Sequence, residues 1–141
     1  MISENELTGV VLALQRATHH TLHALSAALS DLNLSAAEIN ALANLGEGGT
    51  LSVRQLSERT GTRASTLTGL LDRLENRGYL VREVDPTDRR SFRLPLTDQG
   101  REVAAQARAA ITDLERTALS QLDAAQLAGY RAVISALEEA C

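Results

Sequence analysis

Apolar residues recur every three or four positions along most of the chain, the period of an amphipathic helix. Leu7, Val10, Val11, Leu14, Leu22, Leu25, Leu29 and Leu32 follow it, which predicts one long helix from about Leu7 to Leu32. Ser35 and Glu38 then stand at capping-box spacing and open a second helix ending near Leu45, where Gly46, Gly48 and Gly49 offer C-cap chemistry. Ser52 and Gln55 repeat the box ahead of a short helix, Val53 to about Thr60, with Val53, Leu56 and Ser57 facing inward. Gly61 and Thr62 turn the chain. Thr62 is the expected N-cap of a third run, Arg63 to Arg77, which Gly78 stops.

The period then changes. Leu80 to Val84 is β-prone, Asp85-Pro86-Thr87-Asp88 is turn chemistry, and Phe92, Leu94 and Leu96 alternate onto one face. Two strands joined by a polar turn make a hairpin, in which Pro95 occupies a position that needs no ladder N–H. Thr97 caps a long final helical region whose stripe runs Val103, Ala104, Ala107, Ala110, Ile111, Leu114, Ala118 and Leu122. Asp123 and Gln126 cap a last helix bearing Leu127, Tyr130, Val133, Ile134 and Leu137.

The pattern predicts a mainly α fold: a winged helix-turn-helix with long N- and C-terminal dimerisation helices and one small β-hairpin wing. Residues 35–97 form the expected DNA-binding lobe, and residues 1–34 with 98–141 the helical dimerisation region. The terminal stripes are too long for so small a lobe to cover, and a second copy of the chain is the simplest partner.

Composition narrows the picture. Hydrophobic residues make up 44% of the 141, enough for a core, and aromatics only 2%, so the core is aliphatic. No stretch reaches the roughly 20 apolar residues of a membrane span, and the N-terminal residues lack the pattern of a signal peptide; the expected location is the cytoplasm. The single cysteine, Cys141, excludes an internal disulfide and a cysteine-rich zinc cluster. The net charge of −4 argues at first against nucleic acid, but the distribution reverses this. All 14 basic residues are arginine, and ten fall between Arg54 and Arg101 against seven acids; the remainder has four arginines against 11 acids. A locally basic element on an acidic body fits a nucleic-acid reader.

Two short helices joined by a tight glycine-containing turn form a helix-turn-helix, whose second helix enters the major groove with its N-terminal residues at base edges. Those residues are Arg63, Ser65, Thr66, Thr68 and Gly69, with Arg73 and Arg77 placed further along for phosphates. Leu67, Leu70, Leu71 and Leu74 fall on the opposite face. Gly69 fits either close approach to DNA or tight helix packing. Asp88, Arg89 and Arg90 stand at the expected wing tip, where an arginine can enter a narrow minor groove and a neighbouring carboxylate can hold its guanidinium in a bidentate pair.

The segment Leu70-Leu71-Asp72-Arg73-Leu74-Glu75-Asn76-Arg77-Gly78-Tyr79-Leu80, followed by Asp85 to Arg90 and Leu96-Thr97-Asp98-Gln99-Gly100, resembles the MarR (multiple antibiotic resistance regulator) family. The resemblance implies a homodimer with interlocked terminal helices that binds a pseudo-palindromic operator in double-stranded DNA, usually as a repressor. It implies Arg90 as the minor-groove arginine, Asp88 as its orienting partner, and Ser65, Thr66 and Thr68 in the major groove. It also implies a small anionic aromatic or phenolic acid as effector, bound between the dimerisation helices and the DNA-binding lobe.

Arg16, His19, His20 and His23 cluster on the first helix and offer charge-assisted bonds to such an acid; a polar helix face or a dimer contact is the alternative. His19 and His23, at i and i+4, would begin a zinc site, but the remaining ligands are missing, so no metal and no cofactor is expected. A zinc-responsive regulator and a winged-helix protein-interaction module without DNA binding are the competing readings. No nucleophile–base pair, phosphate loop or full metal site points to an enzyme.

Overall fold

The computed structural model describes residues 1–141. Two compact units are present, residues 1–110 and 111–141.

In the first unit, Ser3 and Glu6 cap a single turn, α1 (Glu4–Leu7). The chain then breaks at Gly9, whose φ of 83° lies in the left-handed region that glycine enters without a Cβ clash. Helix α2 (Val10–Ala28) follows, and a 3-10 turn, Ser30–Leu32, ends at Asn33 with φ 55°. The long helix expected from Leu7 to Leu32 is therefore shorter at both ends: left-handed Gly9 breaks it before Val10, and at Leu29, φ −113° and ψ 25°, it gives way to the 3-10 turn.

Helices α3 (Ala36–Leu45) and α4 (Val53–Thr60) begin at the expected capping boxes. The Glu38 N–H donates to Ser35 Oγ at 3.1 Å and the Gln55 N–H to Ser52 Oγ at 3.1 Å. Each box satisfies two donors that the first turn would otherwise leave unpaired. Gly46 is not left-handed, with φ −81°. Its lack of a side chain serves packing instead: a Cβ there would stand 2.9 Å from the Ala104 Cβ.

Helix α5 (Ala64–Asn76) begins one residue later than expected. Its N-cap is Arg63, with no side-chain cap. Thr62 is engaged elsewhere: its carbonyl accepts from Ser57 Oγ at 2.6 Å and its N–H donates to Thr60 Oγ1 at 3.3 Å. Gly78, φ 78°, follows the C-cap Arg77 as expected.

Strands β1 (Glu83–Val84) and β2 (Phe92–Arg93) pair antiparallel, Glu83 opposite Arg93 and Val84 opposite Phe92. Isolated bridges join Leu80 to Leu96 and Ser52 to Arg93, and the Leu94 N–H donates to the Leu51 carbonyl at 2.9 Å. The segment before α4 thus gives the hairpin a third short rung. Of the three residues expected on a buried hairpin face, Leu94 is 1% exposed, Leu96 is half-buried and Phe92 is 44% exposed. The root of the hairpin lies in the core and its outer half extends beyond it.

The core is built from Ile39 and Leu42 of α3, Leu56 of α4, Leu67, Leu71 and Leu74 of α5, and Leu80 and Leu94 of the hairpin, all fully buried. Each contributes on the order of 2 kcal/mol. Helix α6 (Asp98–Leu119) closes this core with Val103, Ala104 and Ala107 from its first turns.

The second unit holds the rest of α6 and α7 (Ala124–Ala140), capped by Asp123 and Gln126. Leu114, Leu127, Ile134 and Leu137 are half-buried within it, while Leu119, Leu122, Tyr130 and Val133 are exposed. No helix is long and apolar enough to cross a membrane.

Candidate nucleic-acid interface

Helix α5 presents two unlike faces. Leu67, Leu70, Leu71 and Leu74 are buried, while Ala64, Ser65, Thr66, Thr68, Gly69 and Arg73 are exposed, next to the equally exposed Arg63. Apolar residues at i, i+3, i+4 and i+7 anchor the helix, so the polar residues between them point away from the lobe. Thr68 Oγ1 donates to the Ala64 carbonyl at 3.2 Å, which sets its rotamer. With Arg63 as N-cap, the first-turn N–H groups of Ala64 and Ser65 remain open beside the positive end of the helix dipole. Arg73 leans toward Glu38, 4.0 Å away, but stays 59% exposed.

The turn between the strands is held by its own carboxylates. Asp85 Oδ1 accepts the Thr87 N–H at 2.9 Å and the Thr87 hydroxyl at 2.7 Å. Those two bonds hold its carboxyl below the usual carboxylate range. Asp88 Oδ1 accepts the Arg90 N–H at 3.0 Å, and the Ser91 N–H donates to the Asp88 carbonyl at 3.0 Å. This corrects one expectation: Asp88 holds the backbone of Arg90, not its guanidinium. The side chains of Arg89 and Arg90 are exposed and make no hydrogen bond or ion pair.

Two arginines bind the lobe to itself. Arg77, expected at a phosphate, donates to the Asn33 carbonyl at 2.8 Å and the Leu32 carbonyl at 2.7 Å. Arg82, which no sequence motif singled out, joins the hairpin to α5. Its N–H donates to Glu75 Oε2 at 3.0 Å, and its Nη2 stands 3.3 Å from Glu75 Oε1 and 2.6 Å from Asp72 Oδ1. Bonds from Arg82 hold the Glu75 carboxyl below its ordinary range. The signal was present in the sequence: carboxylates three apart on one helix edge, then an arginine just past the turn.

Between α4, α5 and the hairpin lies a cleft of about 650 Å³, lined by Val53, Ser57, Ser65, Thr68, Arg82, Arg90 and Phe92 among others. Arg16, His19, His20 and His23 are all exposed on α2. No three His, Cys, Asp or Glu side chains group so as to hold a metal ion.

The family model described as MarR family matches residues 30–91, the span from the end of α2 to the wing. This segment is of the MarR family. YcgE of Bacillus subtilis (strain 168), named as an uncharacterized HTH-type transcriptional regulator, is 38% identical over 96 residues, 67% of this chain and 62% of that protein. The match thus spans less than two thirds of that relative's length. Among solved structures of the MarR-like fold, the transcriptional regulator BldR from Sulfolobus solfataricus superposes with a TM-score of 0.80 at 25% identity, over 96% of this chain and 99% of BldR. CouR from Rhodococcus jostii RHA1, solved bound to p-coumaroyl-CoA, gives 0.78 at 23% identity, over 96% of this chain and 95% of CouR. The mainly helical MarR architecture with one small hairpin is therefore the fold of this chain.

Proposed function

We propose that this chain is a homodimeric repressor of the MarR family that binds a pseudo-palindromic operator in double-stranded DNA and is released by a small anionic aromatic ligand. One observation carries the reading. The exposed row Arg63, Ser65, Thr66, Thr68, Gly69 and Arg73 of α5 and the unpaired Arg89 and Arg90 belong to one lobe, held rigid from behind by buried leucines and by Arg82. Hydroxyls, a glycine and an open helix N-terminus suit base edges and phosphates in the major groove. The free guanidinium of Arg90 suits the minor groove, and Asp88 orients it through the turn rather than by direct pairing.

Dimerisation through residues 1–34 and 98–141 would cover apolar residues that are exposed in one copy: Leu7, Val10, Val11 and Leu12 in the first unit, and Leu119, Leu122, Tyr130 and Val133 in the second. Repression follows from occupying the operator. Arg16, His19, His20 and His23 provide donors for a carboxylate or phenolate. The p-coumaroyl-CoA bound to CouR is an aromatic acyl thioester, which supports a ligand of aromatic character here.

The test is fluorescence anisotropy with the DNA upstream of the chain's own gene over a series of salt concentrations. A dimer should bind with log affinity falling linearly with log salt, by about 0.9 per phosphate neutralised. A monomer by sedimentation, or no preference over random duplex, overturns the reading. A melting temperature raised by hydroxylated aromatic acids supports the effector; no rise with any of them removes it.

A further inference from the structure

Arg77 sits where three parts of the first unit meet. Its Nη1 donates to the Asn33 carbonyl at 2.8 Å, and its Nη2 to the Leu32 carbonyl at 2.7 Å and to the Tyr79 hydroxyl at 3.2 Å. Its guanidinium carbon lies 5.1 Å from the centre of the Tyr79 ring, within cation–π range. Leu32 and Asn33 close the turn that ends α2. Tyr79 is buried, its carbonyl accepts the Thr97 N–H at 3.0 Å, and Gly100 in the first turn of α6 packs against it. The end of the base-reading helix is thus tied to the end of α2 and to the start of α6. A planar fork that reaches two carbonyls and a ring together is geometry that lysine cannot copy.

We propose that Arg77 is a positioning residue for operator recognition, fixing α5 against the helices through which two copies associate and so setting the half-site spacing the dimer accepts. The proposal rests on the DNA-binding dimer described above. It differs from a phosphate contact, because three of the five donors of Arg77 are spent inside the lobe. It differs from general support of the core, because Arg77 holds the junctions between elements and is itself half-buried.

Two measurements on the full chain test it. In the first, Ser65→Cys in a Cys141→Ser background carries a nitroxide label, and pulsed EPR reads the distance between the two copies without DNA. A narrow distribution is expected with Arg77 and a broadened one with R77Q. In the second, a duplex selected by the wild-type chain from a random library is remade with its half-sites one and two base pairs closer or further apart. The wild type should prefer the selected spacing, near one helical turn. R77Q should lose about tenfold there and much less at the other spacings, with an unchanged salt slope. R77K, which keeps the charge but not the fork, should fall between them, and it stands in if R77Q fails to fold by circular dichroism. Equal loss at every spacing with a slope shallower by about 0.9 would make Arg77 a phosphate contact and overturn the proposal. So would a narrow distance distribution in R77Q. Absence of dipolar coupling in the labelled wild type overturns the dimer reading itself, a different failure from either.

Discussion

Gly100 lies so close against the Tyr79 carbonyl that a Cβ on it would overlap both the oxygen and the carbon. Thr97 locks the same junction: its hydroxyl donates to the Gly78 carbonyl at 2.6 Å and accepts the Gly100 N–H at 3.0 Å. Gly100→Ala should therefore destabilise the chain by about 2–3 kcal/mol through forced backbone movement. A urea midpoint unchanged from the wild type would show that α6 can slide away freely.

Gly69→Ala should act in the opposite sense. A Cβ there meets nothing nearer than Arg73 Nη1 at 3.7 Å, so the tight-packing explanation of this glycine has no support within the chain. Alanine should stabilise the helix by about 0.5–1 kcal/mol, while operator affinity falls because the helix can no longer approach as closely. Affinity equal to the wild type in an anisotropy titration would remove close approach from the account.

Arg90→Ala should leave stability within about 0.5 kcal/mol of the wild type, since its side chain touches no partner. Its operator affinity should fall by about 1–3 kcal/mol. Asp88→Ala should also weaken binding, by loosening the turn, and its protein should become more sensitive to proteolysis near Arg89. Limited digestion with trypsin separates the two variants.

Acid should weaken the clamp at Arg82. The folded-state value for Glu75 is lowered, first by hydrogen bonds from Arg82, so its contribution is full above the unfolded carboxylate range, near pH 4.3. It is lost as the pH falls below that range and the folded carboxyl protonates. Arg82→Met should therefore lower stability at pH 7 and make the decline below about pH 4 shallower. Parallel acid limbs in the two proteins would show that Glu75 draws nothing from Arg82.

Tyr130→Glu should convert the proposed dimer to a monomer, because Tyr130 is 56% exposed three residues from the exposed Val133 on the same helix and a buried unpaired carboxylate is strongly disfavoured. Sedimentation velocity decides. A dimer of unchanged affinity would place the interface elsewhere.

The elements that were legible in the sequence are those whose signals are local. Ser35–Glu38, Ser52–Gln55 and Asp123–Gln126 marked three helix starts, and each box is formed. The leucine row of α5 marked its buried face correctly. Contacts that depend on distant partners were not legible. Arg77 reads as one more surface arginine until the carbonyls of Leu32 and Asn33 come beside it. Thr62 reads as a cap until Ser57 and Thr60 engage it. Phe92 reads as core because strand alternation says which face a residue takes, not how far that face stays covered.

The turn from Asp85 to Ser91 closes on its own side chains and backbone, with no help from outside. Its shape is settled when the chain folds rather than when a duplex arrives. The flap therefore loses little conformational freedom on contact, and capture should be governed by how fast charge draws the two bodies together rather than by slow rearrangement afterwards.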